Sequence, residues 1–316
     1  MSPGSKSKIL LSIKGLHSRA AFFRFIRIFF HEQGFLEVDT PLRQPVYLPE
    51  SNIVPIIAED QFLQTSPELC MKRLLAQGCE KIFQLSHCFR KGERGRLHLE
   101  EFQMLEWYRA SCDYHQLMVD CENLLHFLLE AMQSYTVSSG VPEGQRIFPD
   151  INLESPWQRL TVAEAFARYS PVSLDQALDT ASFDEILTEH VEPRLGLRSP
   201  TFLCDYPGQL ASLARKCPSD QDIAERFELY IQGVELANGF SELTDQNEQR
   251  RRFQEEISAI HTTSGRVAAM PERFLQDLGK LGEAAGIAMG VDRLFMLAKG
   301  YKNIAGAVTF APNDFV

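Results

Sequence analysis

No stretch of the 316-residue chain approaches the roughly 18 consecutive apolar residues that a membrane-spanning helix needs. The most apolar early run, Ala20 to Phe30, is broken by Arg24 and Arg27. The leading MSPGSKSKILLSIKG carries too short an apolar stretch for a signal peptide. A cytoplasmic protein with no membrane partner is therefore expected. Repeats of fixed period, low-complexity tracts and Gly/Ser-rich or Pro-rich linkers are also missing, so one domain is the default. The cysteines, Cys70, Cys79, Cys88, Cys112, Cys121, Cys204 and Cys217, number seven and include no C-x-x-C pair. They read as buried reduced thiols, not as a disulfide framework or zinc site. Basic charge is in deficit: 32 Lys and Arg against 42 Asp and Glu leave a formal charge of -10. An acidic surface repels phosphate backbones and argues against extended nucleic-acid binding. Arg250-Arg251-Arg252 is a local basic run, and it reads as a solvated helix face.

What is present is an ordinary globular composition, 44% hydrophobic and 23% charged, sufficient to bury a core. Apolar spacing through Phe22, Phe25, Ile26, Phe29 and Phe30 predicts a helix over 17–33, stopped by Gly34. A short strand follows over 35–38, closed by Thr40-Pro41. Ser66-Pro67-Glu68 reads as N-cap, first helical residue and first-turn acid, opening a helix that turns Met71, Leu74 and Leu75 inward. Residues 82–89 and 101–109 read as an antiparallel pair around a polar loop. A helix over 114–135, a loop over 136–155 and a Thr161-capped helix to Tyr169 come next. Strands are expected over 201–206, 227–237 and 239–243, and a final helix from Gly290 through Leu297. Strands in runs, with helices between them, predict an α+β domain on a largely antiparallel sheet flanked by helices.

Four segments carry the chemistry: GFLEVDTP (34–41), FRKGERGRLHLEEFQMLEWYR (89–109), RFELYIQGVELANGFSELTD (226–245) and GIAMGVDRLFML (286–297). Arg90 stands at a strand end, where a guanidinium can grip a phosphate with two hydrogen bonds. Arg293 follows Gly290 at a helix start, where a close backbone approach and the helix N-terminus both suit an anion. Glu228 and Glu235 lie seven residues apart, an odd spacing that puts them on opposite faces of one continuous strand. They can share a metal only if a turn or bulge near Gln232-Gly233 resets the register. Carboxylates with phosphate oxygens are what magnesium prefers.

Together, in this order and spacing, the segments resemble the class II aminoacyl-tRNA synthetases of the lysine subgroup. GFLEVDTP is similar to motif 1, FR…EFQMLEWYR to motif 2 and GVDRL to motif 3, while NGFSELTD and PTFLCDYP (200–207) resemble lysine-subgroup stretches. The resemblance runs over 17–316 as a single catalytic domain. Residues 1–16 are left as an N-terminal tail, too short for the anticodon-binding OB-fold that lysyl-tRNA synthetases carry. SPELCMKRLLAQGCEKIFQL, GRLH, MLEWYR and VELANGFSELTD look like the short paralogue family, the elongation factor P lysine lysyltransferases. In motif 2 the usual F-R-x-E has Gly92 in the glutamate's place, with Glu93 one residue later, and H-N-P-E-F becomes His98-Leu99-Glu100-Glu101-Phe102.

The resemblance implies an ATP-dependent, AMP-forming ligase using ATP and Mg²⁺, acting as a homodimer. It would activate lysine or β-lysine as an adenylate and pass it to a lysine of elongation factor P. It makes Arg90 and Arg293 the catalytic arginines, on the α-phosphate with the substrate carboxylate and on the γ-phosphate. Lys91, Gly92, His98, Phe102, Glu235, Leu236 and Gly290 join them around ATP, and Glu228 and Glu235 bind magnesium. Ser66, Pro67, Glu68, Glu106, Tyr108, Asn238, Phe240, Glu242 and Ala288 form the amino-acid pocket. Two carboxylates, Glu106 and Glu242, suit a substrate bearing two ammonium groups. Ala288 stands where lysyl-tRNA synthetases usually have the middle glycine of motif 3, which narrows the pocket floor and favours a β-amino acid. A truncated synthetase charging a tRNA acceptor and a non-catalytic regulatory paralogue are the alternatives. The acidic charge and the short N-terminus count against the first, and retention of Arg90, Glu228, Glu235 and Arg293 against the second.

Overall fold

The structure, a computed structural model, describes residues 11–138, 147–149 and 151–312. Its strands are β1 Leu36–Glu37, β2 Arg43–Gln44, β3 Ile57–Ala58, β4 Gln61–Leu63, β5 Lys81–Phe89, β6 Glu101–Ala110, β7 Gln158–Thr161, β8 Thr201–Pro207, β9 Lys216–Cys217, β10 Asp220–Ile231, β11 Val234–Ser241 and β12 Ala284–Gly290. Its α-helices are α1 Ile13–Glu32, α2 Glu68–Leu75, α3 Tyr114–Ser138, α4 Val162–Tyr169, α5 Leu174–Asp179, α6 Phe183–Ile186, α7 Gln246–Ser264, α8 Glu272–Leu278 and α9 Val291–Ala298. The main sheet has nine strands, in the order β1-β5-β6-β12-β11-β10-β8-β7, with β9 paired to β10. Only β1–β5 and β7–β8 are parallel pairs. The expected α+β architecture on a largely antiparallel sheet is what the chain forms.

Side chains alternate across this sheet, so one face meets the main core, while the other packs on smaller cores towards its two ends and opens into a cleft between them. The row Phe83–Trp107–Ile287–Gly239–Phe227–Cys204 runs through six strands in direct register. It faces the main core, where it meets Phe22 and Phe30 of α1, Leu124 of α3 and Phe295 of α9. A Cβ on Gly239 would stand 2.7 Å from the Phe227 ring, so that row has no room for a larger residue at this crossing. Asp292 ties the layers together. It is 3% exposed, pairs with Arg19 of α1 at 2.6 Å and accepts the Gln103 N–H of β6 at 2.7 Å.

Several element boundaries differ from the sequence expectations. The first helix starts at Ile13, because Ser12 caps it by accepting the Gly15 N–H, so 13–16 are helical and not tail. Residues 1–10 lie outside the described residues. The helix ends as expected: Gly34 sits at φ +75, with Phe35 N–H bonded to Phe30 and Gly34 N–H to His31, a Schellman stop. At α2, Pro67 and not Ser66 is the N-cap. The Ser66 hydroxyl still accepts the Glu68 N–H at 3.0 Å. The helix over 114–135 continues to Ser138, which shortens the loop expected over 136–155; residues 139–146 and 150 of that loop lie outside the described residues. Thr161 caps α4 through a reciprocal capping box with Glu164, as expected. Strands expected over 227–237 and 239–243 are instead the hairpin β10–β11. Its two-residue turn Gln232-Gly233 has φ of 52 and 70, the positive pair that a tight hairpin requires.

The arginine run lies on α7, where Arg250 pairs with Glu272, and Arg251 and Arg252 with Glu248. The face is ion-paired, and only Arg251 is exposed as the solvated-face reading expected: Arg252 is largely buried and donates to the Ser212 and Ala214 carbonyls. The cysteines are all free, but only Cys88, Cys121 and Cys204 are buried; the other four are partly exposed. Among the described residues no helix is long and apolar enough to cross a membrane.

Candidate active site

The face of the sheet opposite the main core carries the predicted site residues in two adjacent transverse rows. One runs Gln84–Glu106–Ala288–Asn238–Glu228 across β5, β6, β12, β11 and β10. The next runs Ile82–Tyr108–Gly286–Phe240–Arg226. Residues far apart in sequence therefore become neighbours simply by strand register. A cavity of about 860 Å³ lies over these rows, within the size range of small-ligand sites. Ser66, Glu68, Arg90, His98, Phe102, Tyr108, Glu228, Glu235, Leu236, Asn238, Phe240, Ala288, Gly290 and Arg293 line it.

One end of the cavity is cationic. Arg90 leaves the end of β5 with its Nε 3.3 Å from the Thr65 carbonyl oxygen, and its guanidinium lies 5.3 Å from the Phe102 ring centre. Arg293, at the start of α9, donates to the carbonyl oxygens of Leu97 at 3.2 Å and Glu235 at 2.8 Å. It also contacts His98 Nε2 at 2.6 Å. Burial first, and then the charge of Arg293, hold the His98 pKa below its ordinary value. Arg226, which sequence reading did not single out, pairs with Glu228 at 2.6 Å, donates to Asn238 Oδ1 at 3.2 Å and stacks over Tyr206 at 4.4 Å.

Glu228 and Glu235 sit on two strands: the single strand expected over 227–237 is not formed, and the turn at Gln232-Gly233 that the spacing argument required is present. The register pairs Leu229 with Ala237 but Tyr230 with Glu235, so Leu236 is the extra residue of a β-bulge. That bulge reverses the parity of β11, and Glu235 reaches the cavity beside Glu228. Burial first, then the nearby Glu228 charge, raise the Glu235 pKa. Glu192, another residue not anticipated, joins them: Tyr230 Oη bonds Glu228 at 2.6 Å and Glu192 at 3.2 Å, and Glu192 is pushed up to about 7 by burial and by Glu235. Two carboxylates on one wall fit a magnesium ion that takes its remaining ligands from phosphates and water.

The other end is acidic, and here two expectations need correction. Glu106 and Glu242 do not form the cavity wall; they are 1% and 2% exposed and sit behind it. Tyr108 packs against Glu106, and Gly286 lies against Glu242. A Cβ on Gly286 would fall 2.2 Å from the Tyr108 ring and 2.5 Å from Glu242 Oε1, so only glycine leaves that carboxylate room. Glu106 accepts from the Ser66 hydroxyl at 2.6 Å and the Tyr108 hydroxyl at 2.8 Å. Burial, then the charge of Glu68, push Glu106 up to about 8. Glu242 is likewise pushed up to about 8 by burial, against the opposing pull of Lys72. Lys72 lies buried between Glu68 and Glu242. The i,i+4 spacing from Glu68 was a legible signal for it.

Three more expected residues are not on the cavity wall. Pro67 is buried at the α2 cap. Lys91 is exposed and donates only its main-chain N–H, to Val54 at 2.8 Å. Gly92 sits at φ +83 with its N–H on Glu100 Oε1 at 2.7 Å. Glu100 also holds Arg94, so the altered motif 2 loop is closed by its own acid. Glu93 faces the cavity, 3.8 Å from Arg90.

An antiparallel sheet with arginines from a strand end and a helix start over one face defines the class of protein. The chain belongs to the class II tRNA synthetases of the D, K and N type, whose family profile matches residues 12–314. It is an ATP-dependent ligase of that class. Within it, the chain is 37% identical over 313 residues to the elongation factor P--(R)-beta-lysine ligase of Proteus mirabilis, covering 95% of each chain. It is 36% identical to the proteins of that name from Salmonella gallinarum and Salmonella arizonae, again over 95% of each chain.

Proposed function

We propose that the chain activates β-lysine with ATP and transfers it to a lysine side chain of elongation factor P. The carrying observation is the composition of one cavity: Arg90 and Arg293 line it together with the Glu68 carboxylate, and the carboxyls of Glu106 and Glu242 are buried close behind its wall. A diammonium acid spans it in one direction only. Its ammonium groups face the acids and its carboxylate faces Arg90. The relatives named for (R)-β-lysine and elongation factor P support the same substrate pair.

In the first step the substrate carboxylate attacks the α-phosphorus of ATP in line and pyrophosphate leaves, forming the mixed anhydride. Arg90 orients the carboxylate against the α-phosphate and Arg293 holds the γ-phosphate. His98 supports Arg293, and Phe102 provides a face beside Arg90. Lysine adenylate then meets the acceptor amine, which attacks the carbonyl carbon and expels AMP. Glu228 and Glu235 would hold a magnesium ion, which would supply positive charge against the phosphate oxygens. Positioning and charge neutralisation supply the rate. Asn238, Phe240 and Ala288 shape the space between the two ends. The enzyme works in the cytoplasm, as a homodimer.

The test is pyrophosphate exchange with β-lysine and with α-lysine, followed by transfer of labelled amino acid to purified elongation factor P or to tRNA. β-Lysine-dependent exchange with label on the protein acceptor is expected. Label on tRNA alone would show an RNA-charging enzyme, and no exchange with either isomer a non-catalytic paralogue.

A further inference from the structure

We propose that Lys72 is a positioning residue that sets the charge of the amino-group subsite, holding Glu68 and Glu242 so that the pocket presents two net negative charges to a diammonium acid. The inference rests on the reading of this cavity as a β-lysine site.

Lys72 lies on α2, one turn after Glu68, and is 2% exposed. Its Nζ contacts Glu68 Oε1 and stands 2.5 Å from Glu242 Oε2, with the Phe240 ring centre 5.1 Å away. Lys72 is the partner of Glu242 Oε2, while Oε1, beside Gly286, has no hydrogen-bond partner among the described residues. The titratable groups around the ammonium are Glu68 on its own helix, Glu106 and Tyr108 on β6, and Glu242 after β11. β12 contributes Gly286 there. Asp277 of α8 is occupied by Arg73 and Lys280.

Three carboxylates against one ammonium leave a charge of minus two when all are ionised. Two substrate ammonium groups balance that charge. Without them, a buried doubly negative pocket binds protons instead, in keeping with the raised pKa of Glu106 and Glu242. Lys72 itself stays charged: burial opposes its charge, but Glu242 and Glu68 together outweigh it. Removing Lys72 leaves three clustered carboxyls with no internal cation, minus three when all are ionised. Two ammonium groups balance only two of those charges, so one carboxyl must keep a proton in the variant's complex.

Lys72→Met preserves length and apolar stem while removing the charge. Pyrophosphate exchange with β-lysine should be followed from acid to alkaline pH in both proteins, with circular dichroism to check folding. At neutral pH the variant's KM for β-lysine should rise by at least about tenfold, the loss expected for a removed buried charge partner, while kcat changes less. The deficit should widen as pH rises, because the variant's complex depends on a retained proton that the unmodified complex does not need. A loss of equal size at every pH would show a merely structural lysine and overturn the proposal, as would an unchanged KM. Absence of β-lysine-dependent exchange in the unmodified enzyme would instead remove the substrate reading on which the proposal stands. If Lys72→Met does not fold, Lys72→Ala assayed with and without ethylammonium decides: restored exchange supports the charge role, and no restoration overturns it.

Discussion

Ala288 sits in its row between Glu106 and Asn238, so its methyl group points from the sheet floor into the cavity it lines. α-Lysine and β-lysine contain the same atoms, and charge pairing with the acids cannot by itself separate them. Shape must do it, and a single methyl group in a packed pocket is worth about 1–3 kcal/mol. Ala288→Gly should shift the preference towards α-lysine by about tenfold or more. The ratio of kcat/KM for the two isomers in each protein measures this, and an unchanged ratio would remove Ala288 as the selector. A second prediction concerns protons. The raised pKa of Glu106 and Glu242, about 8 for each, means that their ionised forms, which bind ammonium, are scarce at lower pH. Ligand binding draws the pKa down and releases protons, so affinity rises with pH up to about 8 and then levels. KM for β-lysine should accordingly fall between about pH 6.5 and 8.5, below the range where lysine amines themselves deprotonate. A flat profile would place the ammonium groups elsewhere. At the other end, Glu235→Gln should abolish adenylate formation without unfolding the protein. Near-normal pyrophosphate exchange would remove the magnesium assignment.

The β10–β11 hairpin shows which parts of an element were legible in advance. Its hydrophobic residues and its place in the chain were evident, and so was the requirement for a register change between Glu228 and Glu235. The bulge at Leu236 was not, because an extra residue in a strand leaves no mark on local composition and is fixed only by pairing with β10. Glu106, Asn238 and Ala288 were recoverable through motif resemblance, yet their common row depends on the registers of several strands. Lys72 escaped notice because its charge is satisfied from across the fold by Glu242. The hairpin turn carries its own prediction. Gly233 is at φ +70, and a Cβ there would stand 3.2 Å from the Pro193 Cα. Gly233→Ala should cost about 1–2 kcal/mol through the left-handed backbone, seen as a lower Tm. Because Glu235 follows two residues later, adenylate formation should weaken as well. An unchanged Tm would mean that the turn relaxes freely.

At the scale of the molecule, the main sheet ends in β1, a two-residue strand paired only on one side, to β5. Leu36 on that edge is 58% exposed, next to Glu37, which holds Arg27 of α1 at 2.8 Å. An apolar side chain on an open strand edge, beside a long phenylalanine-rich helix, is a surface that a second copy can cover symmetrically. The two-fold contact would bury α1 and the segment leading to Pro41, as the motif 1 resemblance implies. It would also steady β5, whose far end carries Arg90 into the cavity. We therefore predict a stable homodimer at micromolar concentration. Leu36→Arg should place a charge at the centre of the contact and give monomers that retain their secondary structure. Pyrophosphate exchange should fall with the dimer fraction, since the edge that holds β5 in place has lost its cover. Sedimentation velocity on both proteins, with circular dichroism on the variant, makes the measurement. A stable monomer in the unmodified protein would refute the interface, and a Leu36→Arg dimer with undiminished exchange would move it to another face.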